Sequence, residues 1–404
     1  MLKIYPGKIK GEVTPPSSKS VGHRALICAA LASGESRIFN LNNSKDIEAT
    51  LACLKIYGAE IRKEGSTVII SGNKKISDEE IYCNESGSTL RFLIPLFTLD
   101  DGIKTFTGSG KLMERPQDVY KKLYEDLDGL FYYEDNKLKV KGPLKAGTYE
   151  LDGMISSQFF TGLLLALPLL AADSKLIVKN KLESKSYLDI TMKVMEDFGV
   201  KVSYTDGVFN IPGNQKYQNR DYYVESDYSS AAFLKLLSTI NNEIKINNLN
   251  PTSLQGDKVF FDFCDKIEQR EKEITFDLAD CPDLGPALMV LACLCKKDVT
   301  INNIARLRYK ESDRVECMIE ELNKFGFKIE ALENQMFIKP QTIKEKEGIV
   351  VNSHNDHRIA MALSCLASVC KYPVVIDGYE AVSKSYPDFY KDLSSLGIRI
   401  EYDK

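Results

Sequence analysis

Six short polar boxes recur along this chain, and each opens an apolar segment rich in small residues that the pattern predicts to be a buried helix. The boxes recur at intervals of roughly 70 residues, which is typical of a repeat architecture. A helix start carries unpaired N–H groups and a partial positive charge, so it attracts anions. The sequence therefore predicts repeated units built around a multiply anionic small molecule. The boxes are Ser18-Lys19-Ser20 with His23-Arg24, Ser86-Gly87-Ser88-Thr89 with Arg91, Ser156-Ser157-Gln158, Asp227-Tyr228-Ser229-Ser230, Pro282-Asp283-Leu284-Gly285 and Asn355-Asp356-His357-Arg358.

A second repeating element is a glycine that ends an amphipathic helix and is followed by an alternating strand. Its clear members are Gly58, Gly199, Gly326 and Gly397. Gly129 is a weaker member, and the long interval before Gly326 leaves room for one degenerate unit near Phe260–Phe276, where no glycine marks the turn. We therefore predict an α/β (α+β) chain of six related units, most simply divided three plus three.

The bulk composition is typical of a globular enzyme. A chain of 404 residues exceeds one ordinary core, so two domains are expected. The formal net charge of −4 argues against nucleic acid as a partner. No apolar run approaches the ~20 residues of a spanning helix, and the first residues do not resemble a secretory signal. We expect a cytoplasmic monomer that does not bind membranes.

The cysteines and histidines do not suggest a metal centre. The chain has ten cysteines and three histidines but no Cys-x-x-Cys pair. Zinc sites need closely spaced ligands, whereas reduced buried thiols are ordinary in the cytosol. We therefore predict no metal and no disulfide framework.

The first box places two cations near a predicted helix start. A serine such as Ser18 can cap the helix, which leaves Lys19 and Ser20 in its first turn. Arg24 follows Ser20 by four residues and therefore lies on nearly the same face. These groups can hold an anion, although a capped helix with a solvated lysine would give the same pattern.

The second box and the segment after it extend this chemistry. Gly87 allows a ligand to approach the backbone closely. Arg115 precedes a proline and is expected in an extended conformation, from which its guanidinium can fork onto a carboxylate or phosphate. A salt bridge to Glu114 is the alternative for Arg115.

The densest cluster of charge lies in the last hundred residues. Lys310 and Arg314 are four residues apart with Glu311 beside them, and a surface salt-bridged turn is the alternative interpretation. Arg358 leads into an apolar helix, where an unpaired arginine would be costly. Lys384 supplies one more cation in a later turn.

In the order in which they stand, these strings closely resemble the 5-enolpyruvylshikimate-3-phosphate synthase family of enolpyruvyl transferases. The resemblance extends from residue 18 to residue 387, so it covers almost the whole chain. The resembling strings are Ser18–Leu26, Ser86–Arg91, Glu114–Pro116, Ser156–Phe159, Ser184–Tyr187, Pro282–Leu284, Lys310–Arg314, Asn355–Arg358 and Lys384–Pro387.

The resemblance implies a two-domain inside-out barrel of six βαβαββ units, three per domain, with helix N-termini facing an interdomain cleft that closes on binding. The expected domains are residues 1–17 with 226–404, and residues 18–225. The implied reaction transfers the enolpyruvyl group of phosphoenolpyruvate to the 5-hydroxyl of shikimate 3-phosphate and releases phosphate. This step belongs to the shikimate pathway of chorismate and aromatic amino acid biosynthesis.

The resemblance also assigns site residues. The residues implied for shikimate 3-phosphate are Lys19, Ser20, Arg24, Ser156, Ser157, Gln158, Ser184, Asp283 and Lys310. Those implied for phosphoenolpyruvate are Lys19, Gly87, Arg115, Gln158, Arg314, Arg358 and Lys384. Both ligands carry a carboxylate and a phosphate, so a concentrated set of cations is needed to offset their repulsion.

The reaction needs an acid for C3 of the enol and a base for the hydroxyl. Asp283 is the candidate base, and Glu311 is the candidate for proton exchange at C3, with Lys19 assisting as a cation. The cationic pocket would stabilise the charge that develops in the transition state. No metal or organic cofactor is expected.

Four positions depart from the family pattern. The family commonly has Asn where this chain has His23, Glu85 and Arg306, and Thr where it has Ser88.

Three rival functions stay open. The nearest rival is the sister enzyme that acts on UDP-N-acetylglucosamine, which typically carries a reactive Cys in the loop that here contains none. A non-catalytic binder of phosphorylated metabolites is the second, although it would not need both Asp283 and Glu311. An RNA-processing enzyme of related repeats is disfavoured by the net charge.

Overall fold

The computed structural model describes residues 1–72, 76–77, 79–241 and 244–402. The chain forms two compact units. The discontinuous unit consists of Met1–Pro16 and Ser226–Lys404, and the inserted unit consists of Ser17–Glu225. Each unit has its own apolar core, made largely from the helices that follow the six boxes and from the strands that pack on them.

Short strands and helices alternate along the described residues. The strands are β1 Leu2–Ile4, β2 Gly11–Val13, β3 Glu35–Phe39, β4 Ala59–Glu64, β5 Thr67–Gly72, β6 Ile81–Tyr82, β7 Ile103–Thr107, β8 Leu130–Glu134, β9 Lys137–Lys141, β10 Thr148–Asp152, β11 Ser174–Lys179, β12 Ser203–Thr205, β13 Val208–Ile211, β14 Asp221–Tyr223, β15 Ile244–Ile246, β16 Glu273–Asp277, β17 Asp298–Asn302, β18 Ile329–Ala331, β19 Gln335–Ile338, β20 Val350–Asn352, β21 Val374–Asp377 and β22 Ile400–Tyr402. The α-helices are α1 Lys19–Leu31, α2 Lys45–Ile56, α3 Gly87–Phe97, α4 Asp118–Asp126, α5 Ser157–Ala166, α6 Lys185–Asp197, α7 Tyr228–Asn241, α8 Val259–Ile267, α9 Gly285–Leu294, α10 Arg314–Lys324, α11 His357–Ala367 and α12 Phe389–Ser395.

Five four-stranded sheets share one strand pattern, in which an outer strand pairs parallel with its neighbour and two antiparallel strands follow. The inserted unit contains β14-β3-β5-β4, β6-β7-β9-β8 and β10-β11-β13-β12. The discontinuous unit contains β16-β17-β19-β18 and β20-β21-β1-β22. A sixth sheet, in the part of the chain that is described, is the parallel pair β15-β2. The repeated α/β units predicted from the sequence are confirmed, but the sixth lacks the full set of strands.

The two ends of the chain meet in one sheet, which explains why one unit is discontinuous. Leu2 in β1 pairs with Ile376 in β21 on one side and with Tyr402 in β22 on the other, both antiparallel. The first strand therefore completes a sheet whose other three strands come from the last part of the chain.

Side-chain caps explain where several box helices begin. Ser18 Oγ accepts from the N–H of Val21 at the start of α1, and Ser86 Oγ accepts from that of Thr89 at the start of α3. Both serines have extended backbones, as N-caps do. The fifth box differs, because Asp283 lies in a short 3₁₀ turn, Pro282–Leu284, that precedes α9.

Four of the five predicted glycine turns have the left-handed backbone that the pattern requires. Their φ angles are 102° at Gly58, 82° at Gly199, 87° at Gly326 and 107° at Gly397. At the fifth turn the left-handed position is one residue earlier, at Asp128, where φ is 60°. Gly129 is needed there for another reason, because a Cβ would lie 2.6 Å from the carbonyl oxygen of Lys141.

No helix in the described ranges is both long and apolar enough to cross a membrane. The ten cysteines all stand in the described ranges; they are free thiols, nine of them buried and Cys317 partly exposed.

Candidate active site

In the inserted unit, Lys19 begins α1 and is held by a carboxylate that the sequence did not single out. Its Nζ donates to Asp46 Oδ2 at 2.7 Å, and Asp46 lies in the first turn of α2. Both side chains are largely buried. The alternative of a solvated Lys19 is therefore wrong, and its ammonium is fixed beside Ser20 at the helix start.

Arg24 is a buried cation whose hydrogen-bond acceptors are all neutral. Its Nε donates to Thr191 Oγ1 at 2.7 Å, its Nη1 to the carbonyl of Ser20 at 2.7 Å, and its Nη2 to Thr161 Oγ1 and the carbonyl of Tyr187 at 3.2 and 3.1 Å. Burial lowers the pKa of Arg24 to about 10. Because a buried charge is costly without a counter-ion, this region is suited to an anionic ligand.

Three of the four serines assigned by the resemblance, Ser156, Ser157 and Ser184, lie at two neighbouring helix starts. Ser156 caps α5 by accepting from the N–H of Gln158 at 3.4 Å, and Ser157 is the first residue of that helix. Ser184 precedes α6 with a left-handed φ of 54° and is buried. Arg24 joins α1 to both helices, since Thr161 belongs to α5 and Thr191 to α6.

Gly87, Arg115 and Gln158 are brought together, although they come from three separate segments. A Cβ at Gly87 would lie 2.8 Å from Arg115 Nη1 and 3.4 Å from Gln158 Oε1. Gln158 Nε2 donates to Ser88 Oγ at 3.0 Å, and Arg91 Nη1 donates to Gln158 Oε1 at 2.9 Å. Arg115 has the extended backbone that the following proline predicted.

In the discontinuous unit, Asp283 accepts from three cations that come from different segments. Lys310 Nζ lies 3.1 Å and Arg314 Nη1 3.0 Å from its Oδ1, and Arg358 Nη2 lies 2.9 Å from its Oδ2. Burial raises the pKa of Asp283, but the charges of Arg358, Lys310 and Arg314 outweigh it and hold the pKa well below its usual value.

Arg314 is the centre of this cluster. Its Nη2 donates to Glu311 Oε2 at 2.7 Å, and its Nε donates to Asp356 Oδ2 at 2.8 Å. Only 1% of its side chain is exposed, so the alternative of a surface salt-bridged turn is wrong. Burial lowers the pKa of Arg314, but Asp356, Glu311 and Asp283 outweigh it and raise that pKa. Burial also lowers the pKa of Lys310.

Asp356 fixes two of the predicted arginines at once. Besides binding the Arg314 side chain, its Oδ1 accepts from the N–H of Arg358 at 2.9 Å and so caps α11. Lys384 ends a 3₁₀ helix, Tyr379–Lys384, and its Nζ donates to the carbonyl of Asn355 at 2.6 Å, next to the same cap. The discontinuous unit therefore brings together Asp283, Lys310, Glu311, Arg314 and Arg358. Lys384 lies beside them, at the residue before Asp356.

Sequence reasoning missed a second carboxyl near Asp283. Asp257 is buried, its Oδ2 accepts from the Ser229 hydroxyl, and burial together with the negative charge of Asp283 raises the pKa of Asp257 to about 7. The sequence offered little signal, since Gln255-Gly256-Asp257 resembles an ordinary turn. Asp46, Arg91 and Asp356 were also missed as site residues, although the last two stand inside predicted boxes.

At three of the positions that depart from the family pattern, the structure shows a local contact of the side chain. His23 is buried, and its Nδ1 hydrogen bonds to Thr50 Oγ1 at 2.7 Å. The Glu85 side chain lies against Gly110, where a Cβ would be 2.6 Å from Glu85 Oε2. Arg306 Nη1 donates to the carbonyl of Ala279 at 3.4 Å.

One group of potential metal ligands, Glu320, Glu321 and His354, occurs in the discontinuous unit. None of the three was predicted as a site residue. Glu321 already accepts from Lys324 Nζ and from the backbone N–H of Asn352, so protein donors occupy its carboxylate.

A family model described as EPSP synthase (3-phosphoshikimate 1-carboxyvinyltransferase) matches residues 4–393. The chain belongs to the EPSP synthase family. A 3-phosphoshikimate 1-carboxyvinyltransferase of Clostridium botulinum is 42% identical, with 98% of this chain and 97% of the relative covered. One of Clostridium kluyveri is 43% identical, covering 99% and 98%. A solved EPSP synthase structure from Acinetobacter baumannii, at 23% identity, has the same fold with a TM-score of 0.82 over 99% of both chains.

These comparisons confirm the family, the fold class and the transferase activity that the sequence predicted. They favour enolpyruvyl transfer in the shikimate pathway over the sister reaction and over simple metabolite binding. The contribution of each site residue to binding and catalysis stays a prediction.

Proposed function

We propose that this EPSP synthase family member transfers the enolpyruvyl group of phosphoenolpyruvate to the 5-hydroxyl of shikimate 3-phosphate and releases phosphate. The proposed mechanism rests on the carboxylate of Asp283, which accepts hydrogen bonds from Lys310, Arg314 and Arg358. A structural carboxylate does not need three cations, whereas a site that binds two substrates, each with a carboxylate and a phosphate, does.

Both units contribute residues to substrate binding in this proposal. Arg24 supplies a buried charge that suits shikimate 3-phosphate, since its hydrogen-bond acceptors among the described residues are neutral. The serines at the starts of α5 and α6 supply hydroxyls nearby. For that substrate the set is Lys19, Ser20, Arg24, Ser156, Ser157, Gln158, Ser184, Asp283 and Lys310. For phosphoenolpyruvate it is Lys19, Gly87, Arg115, Gln158, Arg314, Arg358 and Lys384.

Asp283 acts as the base on the 5-hydroxyl, and its basicity depends on its cations. With its oxygens held by Lys310, Arg314 and Arg358, the carboxylate has a low pKa and is a weak base. Anionic substrates attract the same cations, so their binding weakens the hold on Asp283 and raises its pKa toward a useful range. The carboxylate therefore becomes basic when both substrates are bound.

Proton exchange at C3 is assigned to Glu311, with Lys19 as a supporting cation. Glu311 accepts from Arg314 Nη2, which keeps its carboxylate oriented beside Asp283's cation cluster. Protonation of C3 by Glu311 makes C2 electrophilic, and the hydroxyl adds to C2 as its proton passes to Asp283. The tetrahedral intermediate then loses phosphate from C2 and one proton from C3, which returns to Glu311, and the enol ether forms. The surrounding cations stabilise the charge on the departing phosphate.

We further propose a cytoplasmic monomer that needs neither a metal nor an organic cofactor. The acid, the base and the cations required by the chemistry are all supplied by side chains. The rival metabolite-binding function would need the cations but gives no role to the paired acids Asp283 and Glu311.

The test is phosphate release measured with each substrate alone and with both together. We expect phosphate only when shikimate 3-phosphate and phosphoenolpyruvate are present together, at a rate unaffected by EDTA. UDP-N-acetylglucosamine in place of shikimate 3-phosphate should give no release. Phosphate formed from phosphoenolpyruvate alone, or activity abolished by EDTA, would contradict the proposal.

A further inference from the structure

We propose that Arg91 is a positioning residue that fixes three segments of the inserted unit for phosphoenolpyruvate binding. It lies in α3, one turn beyond Gly87, and the proposal rests on the function proposed above. Arg91 is not among the residues assigned to either substrate, and its contribution is made through Gln158 and Arg115.

The guanidinium of Arg91 joins three segments by hydrogen bonds. Its Nη1 donates to Gln158 Oε1 at 2.9 Å, its Nη2 to the carbonyl of Pro116 at 2.9 Å and its Nε to Gln117 Oε1 at 3.3 Å. The guanidinium carbon also lies 4.6 Å from the centre of the Phe159 ring, within the range of a cation–π contact. A planar fork can reach all these acceptors at once, and a lysine ammonium cannot.

These bonds determine how the proposed phosphoenolpyruvate groups face the ligand. Because Gln158 Oε1 accepts from Arg91, its Nε2 is directed to Ser88 Oγ, at 3.0 Å. Because Pro116 is anchored, Arg115 is held with Nη1 close to Gly87. Without the Arg91 guanidinium, the Gln158 amide can rotate, and the segment that contains Arg115 loses the hydrogen bond to the Pro116 carbonyl. Both groups are then less well positioned for binding.

The scaffold around Arg91 has a separate support. The Tyr120 hydroxyl lies 2.7 Å from the carbonyl oxygen of Arg91 and 3.1 Å from that of Phe159, so its single proton is shared between them and joins α3 to α5 through backbone atoms. Both acceptors are main-chain groups that any side chain at position 91 would retain. Replacing the guanidinium should therefore disturb the site more than the fold.

The experiment compares Arg91→Ala and Arg91→Lys with the wild-type protein, with Arg62→Ala as the control. Arg62 is an exposed residue of the same unit that pairs with Glu35. We expect the KM for phosphoenolpyruvate to rise about 10- to 100-fold in both Arg91 variants, with a much smaller change in kcat and in the affinity for shikimate 3-phosphate. Lysine should not rescue, and added guanidinium should partly restore the KM of Arg91→Ala.

A double variant separates positioning from general damage. In a Gln158→Ala background, Arg91→Ala should raise the KM by a smaller factor than in the wild type, because part of its effect passes through Gln158. If Arg91→Ala does not fold, Arg91→Lys carries the same comparison. A wild-type KM in the Arg91 variants, or equal losses in kcat and in affinity for both substrates, would overturn the proposal. Inactivity of the wild-type protein would instead contradict the proposed function.

Discussion

Asp283 and Arg358 are 75 residues apart in the chain, yet Arg358 Nη2 lies 2.9 Å from Asp283 Oδ2. Asp283 lies in the 3₁₀ turn that precedes α9, and Arg358 lies in the first turn of α11. The two helices occupy equivalent places in neighbouring repeats of the discontinuous unit. The repeat therefore places the acid of the fifth box, Asp283, beside a cation of the sixth, Arg358. Each of these two boxes supplies part of one charge cluster.

Replacing Asp283 with Asn should abolish turnover while largely preserving binding. The amide keeps one acceptor for the surrounding cations but cannot take a proton from the 5-hydroxyl. We expect kcat to fall by roughly 10²- to 10⁴-fold, with the affinity for shikimate 3-phosphate, measured by calorimetry, changed far less. Asp277→Asn in the same unit is the control. A near-normal kcat in Asp283→Asn would rule out its role as the base.

Replacing Gly87 with Ala should weaken phosphoenolpyruvate binding selectively. The new Cβ would lie 2.8 Å from Arg115 Nη1, which must move to accommodate it. Because small displacements of binding groups are costly, the KM for phosphoenolpyruvate should rise about 10- to 100-fold, and that for shikimate 3-phosphate should change little. Gly147→Ala is the matched control, since its Cβ would meet nothing within 4 Å. Equal KM values in the two variants would contradict this assignment.

Replacing Arg24 with Gln should reduce binding of shikimate 3-phosphate. Arg24 is buried, and its own acceptors are neutral, so the bound anion supplies the counter-charge. Loss of one partner of a buried charge pair corresponds to an affinity decrease of about 30-fold or more. Calorimetric titration of the variant and of Arg62→Gln, an exposed control, measures this directly. Unchanged affinity in Arg24→Gln would show that Arg24 only joins α1 to α5 and α6.

Acid should destabilise the protein in part through His23. Burial, followed by the charges of Lys19 and Arg24, lowers the pKa of His23 well below 6.5. Between that lowered pKa and 6.5 only the unfolded state binds the proton, so stability is fully present above pH 6.5 and falls as the pH decreases. In this pH interval, the free energy of unfolding falls by about 1.4 kcal/mol for each pH unit. Unfolding of His23→Asn between pH 5 and 6.5 should show a shallower pH dependence than the wild type. Parallel curves would contradict the assignment.

The periodic features of this fold were predictable because they are encoded locally. A capping serine before a run of small apolar residues specifies the start of α1 or α3, and a glycine such as Gly58 specifies a turn. The exceptions arise where packing substitutes for the local signal. At the turn before β8, Asp128 takes the left-handed position, and Gly129 approaches the backbone at Lys141 closely.

The site was predictable in its cations and much less so in their partners. Lys19 stands in the first polar box and Arg314 in a dense cluster of charge. Asp46 and Asp257 are ordinary acidic residues until α2 packs beside α1 and the 256–258 turn packs beside α7. A partner distant in the chain depends on tertiary packing, to which a single sequence gives no direct access. Arg91 was visible in its box, but its hydrogen bonds to Pro116 and Gln158 were not.

In the proposed reaction, the enolpyruvyl group is transferred with cleavage of the bond between C2 and the bridging oxygen of phosphoenolpyruvate. Labelling that oxygen with ¹⁸O and analysing both products by mass spectrometry shows which bond breaks. Addition of the 5-hydroxyl to C2 followed by loss of phosphate predicts that the label leaves with the phosphate and that the enol ether carries none. Label retained in an organic product such as pyruvate would mean that the phosphorus–oxygen bond is cleaved, and would contradict the account.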